Sequence, residues 1–164
     1  MGAVSGPNIV VGVSGTAGSR RALRWAAEEA QQRGATLRVV LAWERAYLAT
    51  YSSASTHGDR TEQERAAQSL LAETLYCVFG AETPDHVVAT VVEGVPERVL
   101  VRESGAADLL VLGSTSASER TQSSVGPVIR GCVHQACCPV MVIGPQSGSA
   151  SAHPDDLLKT ATAV

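Results

Sequence analysis

Short apolar runs alternate with longer amphipathic segments along this chain. Residues 8–13 (NIVVGV), 36–43 (TLRVVLAW), 86–92 (HVVATVV), 108–113 (DLLVLG) and 139–144 (PVMVIG) are nearly continuous in Val, Leu and Ile. That is the pattern of strands buried on both faces. After the first run a helix is expected near Ser19, with Leu23, Ala26, Ala27 and Ala30 as its apolar stripe. Arg20, Arg24, Glu28 and Gln31 face water on that register, and Gly34 supplies the stop. Thr61 and Glu64 read as a capping box that opens a second helix. Its apolar positions are Ala67, Leu70, Leu71, Thr74, Leu75 and Val78, and it ends by Gly80. A short third helix begins around Pro96, a favoured first-turn residue, and a fourth covers about 128–135.

Strands alternating with helices predict right-handed crossovers. The expected fold is a single doubly wound α/β domain, a five-stranded parallel sheet with helices on both faces. Its bounds are 8–145, between a flexible N-terminus (1–7) and a flexible Ser/Ala/Gly-rich tail (146–164). Residues 44–60 form a loop long for a compact domain, the kind that is mobile or functional.

Composition narrows the picture. The 164 residues suffice for one domain. Only 4% are aromatic against 45% hydrophobic, so the core is aliphatic. The net charge of −3, with Lys159 the sole lysine, excludes an electrostatic nucleic-acid surface. No apolar run reaches the roughly 18 residues of a membrane span. The opening MGAVSGPNIVVGV lacks the pattern of a signal peptide, so cytoplasm is the expected compartment. Cys132, His134, Cys137 and Cys138 contain no CxxC pair and do not read as a zinc site; Cys77 and these three are expected to act as small buried hydrophobes.

The candidate chemistry lies in two small-residue loops. In such sheets ligands bind beyond the carboxyl ends of the strands, where strand order reverses. Two loops should meet there, GVSGTAGS after the first strand and the stretch from Val111 to Gly131 (VLGSTSASERTQSSVGPVIRG) after the fourth. Small residues let backbone N–H groups approach a phosphate at a helix start. Gly12, Gly15 and Gly18 match neither the dinucleotide fingerprint nor the P-loop spacing, and a tight strand-to-helix turn also accounts for them. Catalytic residues are not evident. The flanks of Ser14 are wrong by one residue for a nucleophile elbow, and His57, His86, His134 and His153 have no partner in sequence.

From residue 9 to 143 the chain resembles a universal stress protein domain. The resemblance is carried by VVGVSGTAGSRRALRWA, VEGVPERVLVRESGAADLLVLGS and CCPVMVIGP. It implies a flavodoxin-like, adenine-nucleotide alpha-hydrolase-like architecture and a regulatory stress-response role rather than dedicated catalysis. Nucleotide-binding members carry a loop of the form G-x2-G-x9-G-[S/T] and an Asp at the end of the first strand. Here those positions are Gly113, Ser116, Gly126 and Pro127, with Ser14 where the Asp stands. The resemblance thus implies a degenerate phosphate loop, with Thr115, Ser118, Thr121, Ser123, Ser124 and Arg120 available to compensate. By the same resemblance Val13, Ala42 and Leu112 line the adenine side and Val128 lies nearer the phosphates. ATP with Mg²⁺ is the ligand implied for intact members, and weak or lost binding is expected here. The alternatives are an adenine-nucleotide-binding protein or weak ATPase using loop 113–128, and a site for another small anion. The resemblance further implies a homodimer paired through the fifth, edge strand, 139–144, and leaves any other protein partner unspecified.

Overall fold

The computed structural model describes residues 6–44, 60–114 and 126–145. The expected flexible tail and most of the loops at 44–60 and 114–126, including Thr115, Ser116 and Arg120, lie outside the described residues, as do residues 1–5 of the expected N-terminus. Five strands and four helices alternate. They are β1 (Asn8–Val13), α1 (Ala17–Arg33), β2 (Thr36–Trp43), α2 (Arg60–Phe79), β3 (Val87–Glu93), α3 (Pro96–Ser104), β4 (Leu109–Gly113), α4 (Pro127–Gln135) and β5 (Val140–Ile143).

All strand pairs are parallel, in the order β3-β2-β1-β4-β5. The chain steps outward from β1 to β2 to β3, then crosses back to β4 on the other side of β1. Right-handed crossovers turn that reversal into a change of face. Accordingly α1 and α2 pack on one side of the sheet, α3 and α4 on the other. The period of two along each strand divides the core to match. Ile9, Val11, Val13, Leu37, Val39, Leu41 and Val111 meet Leu23, Ala26 and Ala30 of α1 and Leu71 of α2. Val10, Val40, Leu110 and Leu112 meet Val99 and Leu100 of α3 and Ile129 and Cys132 of α4. Each such fully buried aliphatic side chain is worth about 1.5–3 kcal/mol relative to exposure.

The expected elements all occur, with local corrections. Helix α1 begins at Ala17, not near Ser19, because the Thr16 side chain caps it by accepting the Ser19 N–H at 3.2 Å. Arg20, expected to face water, is half-buried and donates from Nη1 to the Gly15 carbonyl at 2.8 Å. Gly34 ends the helix in the left-handed region, at φ 61°, as a C-cap glycine does. Helix α2 is already wound at Arg60, so Thr61 lies inside its first turn rather than before it. Leu70, expected in the stripe of α2, stays 37% exposed because it leans out over the β1–α1 turn, where it would touch a Cβ on Gly15. Of the cysteines, Cys132 is buried and Cys138 half-buried, whereas Cys77 and Cys137 are exposed, contrary to the expectation of four buried thiols.

Candidate functional site

The switch point falls between β1 and β4, whose carboxyl ends stand side by side. At the end of β1 the chain turns through Ser14, Gly15 and Thr16 into α1. Gly15 has φ 74°, a backbone shape that a side chain resists. The Ser14 Oγ and Thr16 Oγ1 share a hydrogen bond of 3.2 Å, and the Ser19 hydroxyl donates to the Thr16 carbonyl at 2.9 Å. The Ser14 hydroxyl is therefore engaged within the turn.

At the end of β4, Gly113 lies directly against the Gly18–Ser19 peptide. A Cβ there would collide with the Gly18 carbonyl group and stand 2.7 Å from the Ser19 nitrogen. Strand and helix backbones touch at this point, which requires glycine irrespective of any ligand. Beyond it, the Ser114 N–H donates to the Ile143 carbonyl at 2.9 Å, prolonging the β4–β5 ladder. Arg21 spans the same strand ends from α1. Its Nη2 donates to the Ser114 carbonyl at 3.2 Å and its Nε to the Gly144 carbonyl at 3.3 Å. Two guanidinium groups thus stand at the carboxyl end of the sheet, one on the β1 turn and one on the exits of β4 and β5. A helix start near Ser19 already places Arg20 and Arg21 in the first turn; which carbonyls their guanidinium groups reach depends on how the strand exits pack against α1.

The third loop residue group opens α4. Gly126 is its N-cap, at φ −57° and ψ 160°, with no side-chain cap bond, and Pro127 occupies the first turn. Proline has no N–H to offer an anion, so the donors there begin at Val128. On the adenine side, Ala42, Leu112 and Val128 pack in the core shared with α3 and α4, whereas Val13 belongs to the α1–α2 core on the opposite face. Leu112 and Val13 are 4% and 6% exposed, so both serve first as core. The structure brings Ser14, Leu112 and Gly113 to neighbouring strand ends, keeps Val13 on the far face, and leaves Thr115 and Ser116 outside the described residues. Among the described residues, no group of three His, Cys, Asp or Glu side chains comes together as a metal site.

A shallow depression lies at the other end of the sheet, lined by Asn8, Thr36, Arg38 and Asp108 among others. Its polar groups largely bond to one another. The Asn8 N–H donates to Asp108 Oδ2 at 2.7 Å, its Nδ2 donates to the Ala106 carbonyl at 2.8 Å, and Arg38 pairs with Glu103 at 2.9 Å. These contacts fasten strand starts to α3 and its exit.

Comparison with known proteins assigns the architecture. The model of the universal stress protein family matches residues 7–144. A universal stress protein of Mycobacterium tuberculosis is 31% identical over 137 residues, which cover 84% of this chain and 48% of that protein. The chain spans about half the length of the curated relatives it matches. Among solved structures, a universal stress protein from Archaeoglobus fulgidus superposes with a TM-score of 0.62 at 24% identity, covering 84% of this chain and 98% of that one. A universal stress protein in complex with cAMP superposes at 0.61 with 22% identity, covering 84% and 96%. At these identities the two structures are alike in fold. Among the described residues, no helix is long and apolar enough to cross a membrane.

Proposed function

The chain belongs to the universal stress protein family, and from that premise we propose that it is a regulatory stress-response domain that does not hold ATP–Mg²⁺ tightly. The observation that carries the proposal is the engagement of the Ser14 hydroxyl by Thr16 at the end of β1. Mg²⁺ is held through one or two carboxylates together with the phosphates. The described loop ends offer hydroxyls, backbone and two arginines in that place, a set that does not fit the ion. Pro127 further removes an N–H at the start of α4. Each lost hydrogen bond to a charged group costs about 1.5–3 kcal/mol, and about 1.4 kcal/mol is tenfold in affinity. Two such losses lower affinity by roughly two orders of magnitude or more.

The domain is proposed to act as a cytoplasmic homodimer built on β5, a four-residue edge strand whose Met141 and Val142 are 40% and 37% exposed. An unpaired apolar edge is otherwise an aggregation liability. The second reading, an adenine-nucleotide-binding protein or weak ATPase using loop 113–128, is favoured by one observation. Arg20 and Arg21 put positive charge at the carboxyl end of the sheet, and the cAMP complex of the similar structure makes a single-phosphate ligand the relevant probe.

Calorimetric titration separates the two. The natural chain is expected to give no heat with ATP and Mg²⁺, and the Ser14→Asp, Ser116→Gly, Pro127→Ser variant to bind. Micromolar binding of ATP–Mg²⁺ by the natural chain would overturn the first reading. Binding of AMP or cAMP without added metal would establish the second.

A further inference from the structure

Residues 137 and 138 form the bend between α4 and β5, and both are cysteines. The backbone on either side is pinned. The Cys137 N–H donates to Ser104 Oγ at 2.9 Å, and Ser104, only 1% exposed, in turn donates to the Val101 carbonyl at 2.6 Å. The Pro139 carbonyl accepts the Leu110 N–H at 2.9 Å. Between these anchors one thiol is exposed and the other half-buried against the α3–α4 core. Burial and the adjacent Cys137 thiol push the Cys138 thiol up, partly offset by a hydrogen bond to the Leu110 backbone, with Asp108 adding a further small rise. Cys132, one turn earlier, is the contrast: fully buried, its thiol is pushed up to about 11 by desolvation and then by Glu97, and it is inert packing.

We propose that Cys137 and Cys138 are a reversible dithiol–disulfide modification site, oxidised by a low-molecular-weight disulfide of the glutathione type. The exposed Cys137 thiolate attacks one sulfur of the oxidised reagent. The reagent's S–S bond breaks, a mixed disulfide forms on Cys137, and the first thiol leaves with the proton Cys137 gave up. The Cys138 sulfur then attacks the Cys137 sulfur, the mixed disulfide breaks, and the second thiol leaves carrying the Cys138 proton. The protein loses two electrons and two protons, and one oxidised reagent becomes two thiols.

Neighbouring Cα atoms stand about 3.8 Å apart, inside the roughly 4.4 Å lower bound of ordinary disulfides. The ring is thus strained, and strained disulfides have the higher potentials of labile, regulatory bonds. A thiol reductant should reopen it readily.

The test uses the full chain with the exposed Cys77 replaced, Cys77→Ser, which leaves three of the four thiols. The protein is treated with oxidised glutathione, quenched in acid, unfolded and alkylated. The expected result is a fall from three alkylatable thiols to one, with an intramolecular 137–138 bond in the peptide map that excess reduced glutathione reverses. Adding Cys138→Ser should arrest the reaction at a glutathione adduct on Cys137. Peptide mapping of the untouched natural chain gives the same readout without reliance on any variant. Retention of all three thiols would overturn the proposal. So would a lasting adduct on Cys137 beside a free Cys138, or a Cys137-linked dimer.

Discussion

The two helices that begin at the switch point start in opposite ways. Helix α1 is closed by its own side chains. The Ser19 N–H and hydroxyl donate to the Thr16 side chain and carbonyl, Ser14 bonds Thr16, and Arg20 ties down the Gly15 carbonyl. Helix α4 opens on Gly126 and Pro127 with no side-chain cap. The glycines differ in the same sense. A Cβ at Gly113 would strike the Gly18 backbone beside α1, whereas one at Gly126 would meet nothing within 4 Å among the described residues. Small residues before a helix are thus two different things in one molecule. Around α1 they make the fold close; at Gly126 no described residue stands against the helix start, which is the only one of the two properties a phosphate site needs.

The contrast is sharpest in the glycines. Gly113→Ala should cost about 3 kcal/mol or more, because the obstruction is backbone that cannot rotate away. Gly126→Ala, at negative φ and clear of the described residues, should cost about 0.5–1 kcal/mol as a poorer N-cap. Denaturant midpoints of the two variants measure this directly, and equal losses would erase the distinction. Arg21→Met should cost less than Gly113→Ala, about 1–2 kcal/mol, since its two hydrogen bonds to the strand exits are long and half-exposed. Faster amide exchange at Ser114, with α1 amides unchanged, would locate the effect at the β4 exit. Thr16→Ala should remove about 1 kcal/mol of capping, a drop of roughly 2–4 °C in Tm, and release the Ser14 hydroxyl. If Thr16→Ala leaves Tm unchanged, α1 is no better closed than α4.

Much of the fold was legible because strands buried on both faces must be apolar at nearly every position. NIVVGV and TLRVVLAW match β1 and β2 residue for residue. Pro96 marked the start of α3 for a reason local to the residue. The site was legible as a place, the carboxyl ends of β1 and β4, but less so as a set of side chains. The periodicity of α1 puts Arg20 on the water face, but its guanidinium folds back onto the Gly15 carbonyl. Leu112 and Val13 fit an adenine wall and a core equally well in sequence; their near-complete burial assigns them to cores, and the parity of their strands puts them on opposite faces.

By itself the sequence determined the alternation of strands and helices, the aliphatic core and the resemblance to the family. These depend on periodicity and on single residues with fixed backbone preferences, and such information is local. Only the tertiary structure decided that Gly113 serves the contact with Gly18, that Arg21 bridges Ser114 and Gly144, and that Cys137 is exposed while Cys132 is not. Those facts join residues up to 123 positions apart. Pairings at that range depend on how sheet and helices pack, which no window along the chain contains.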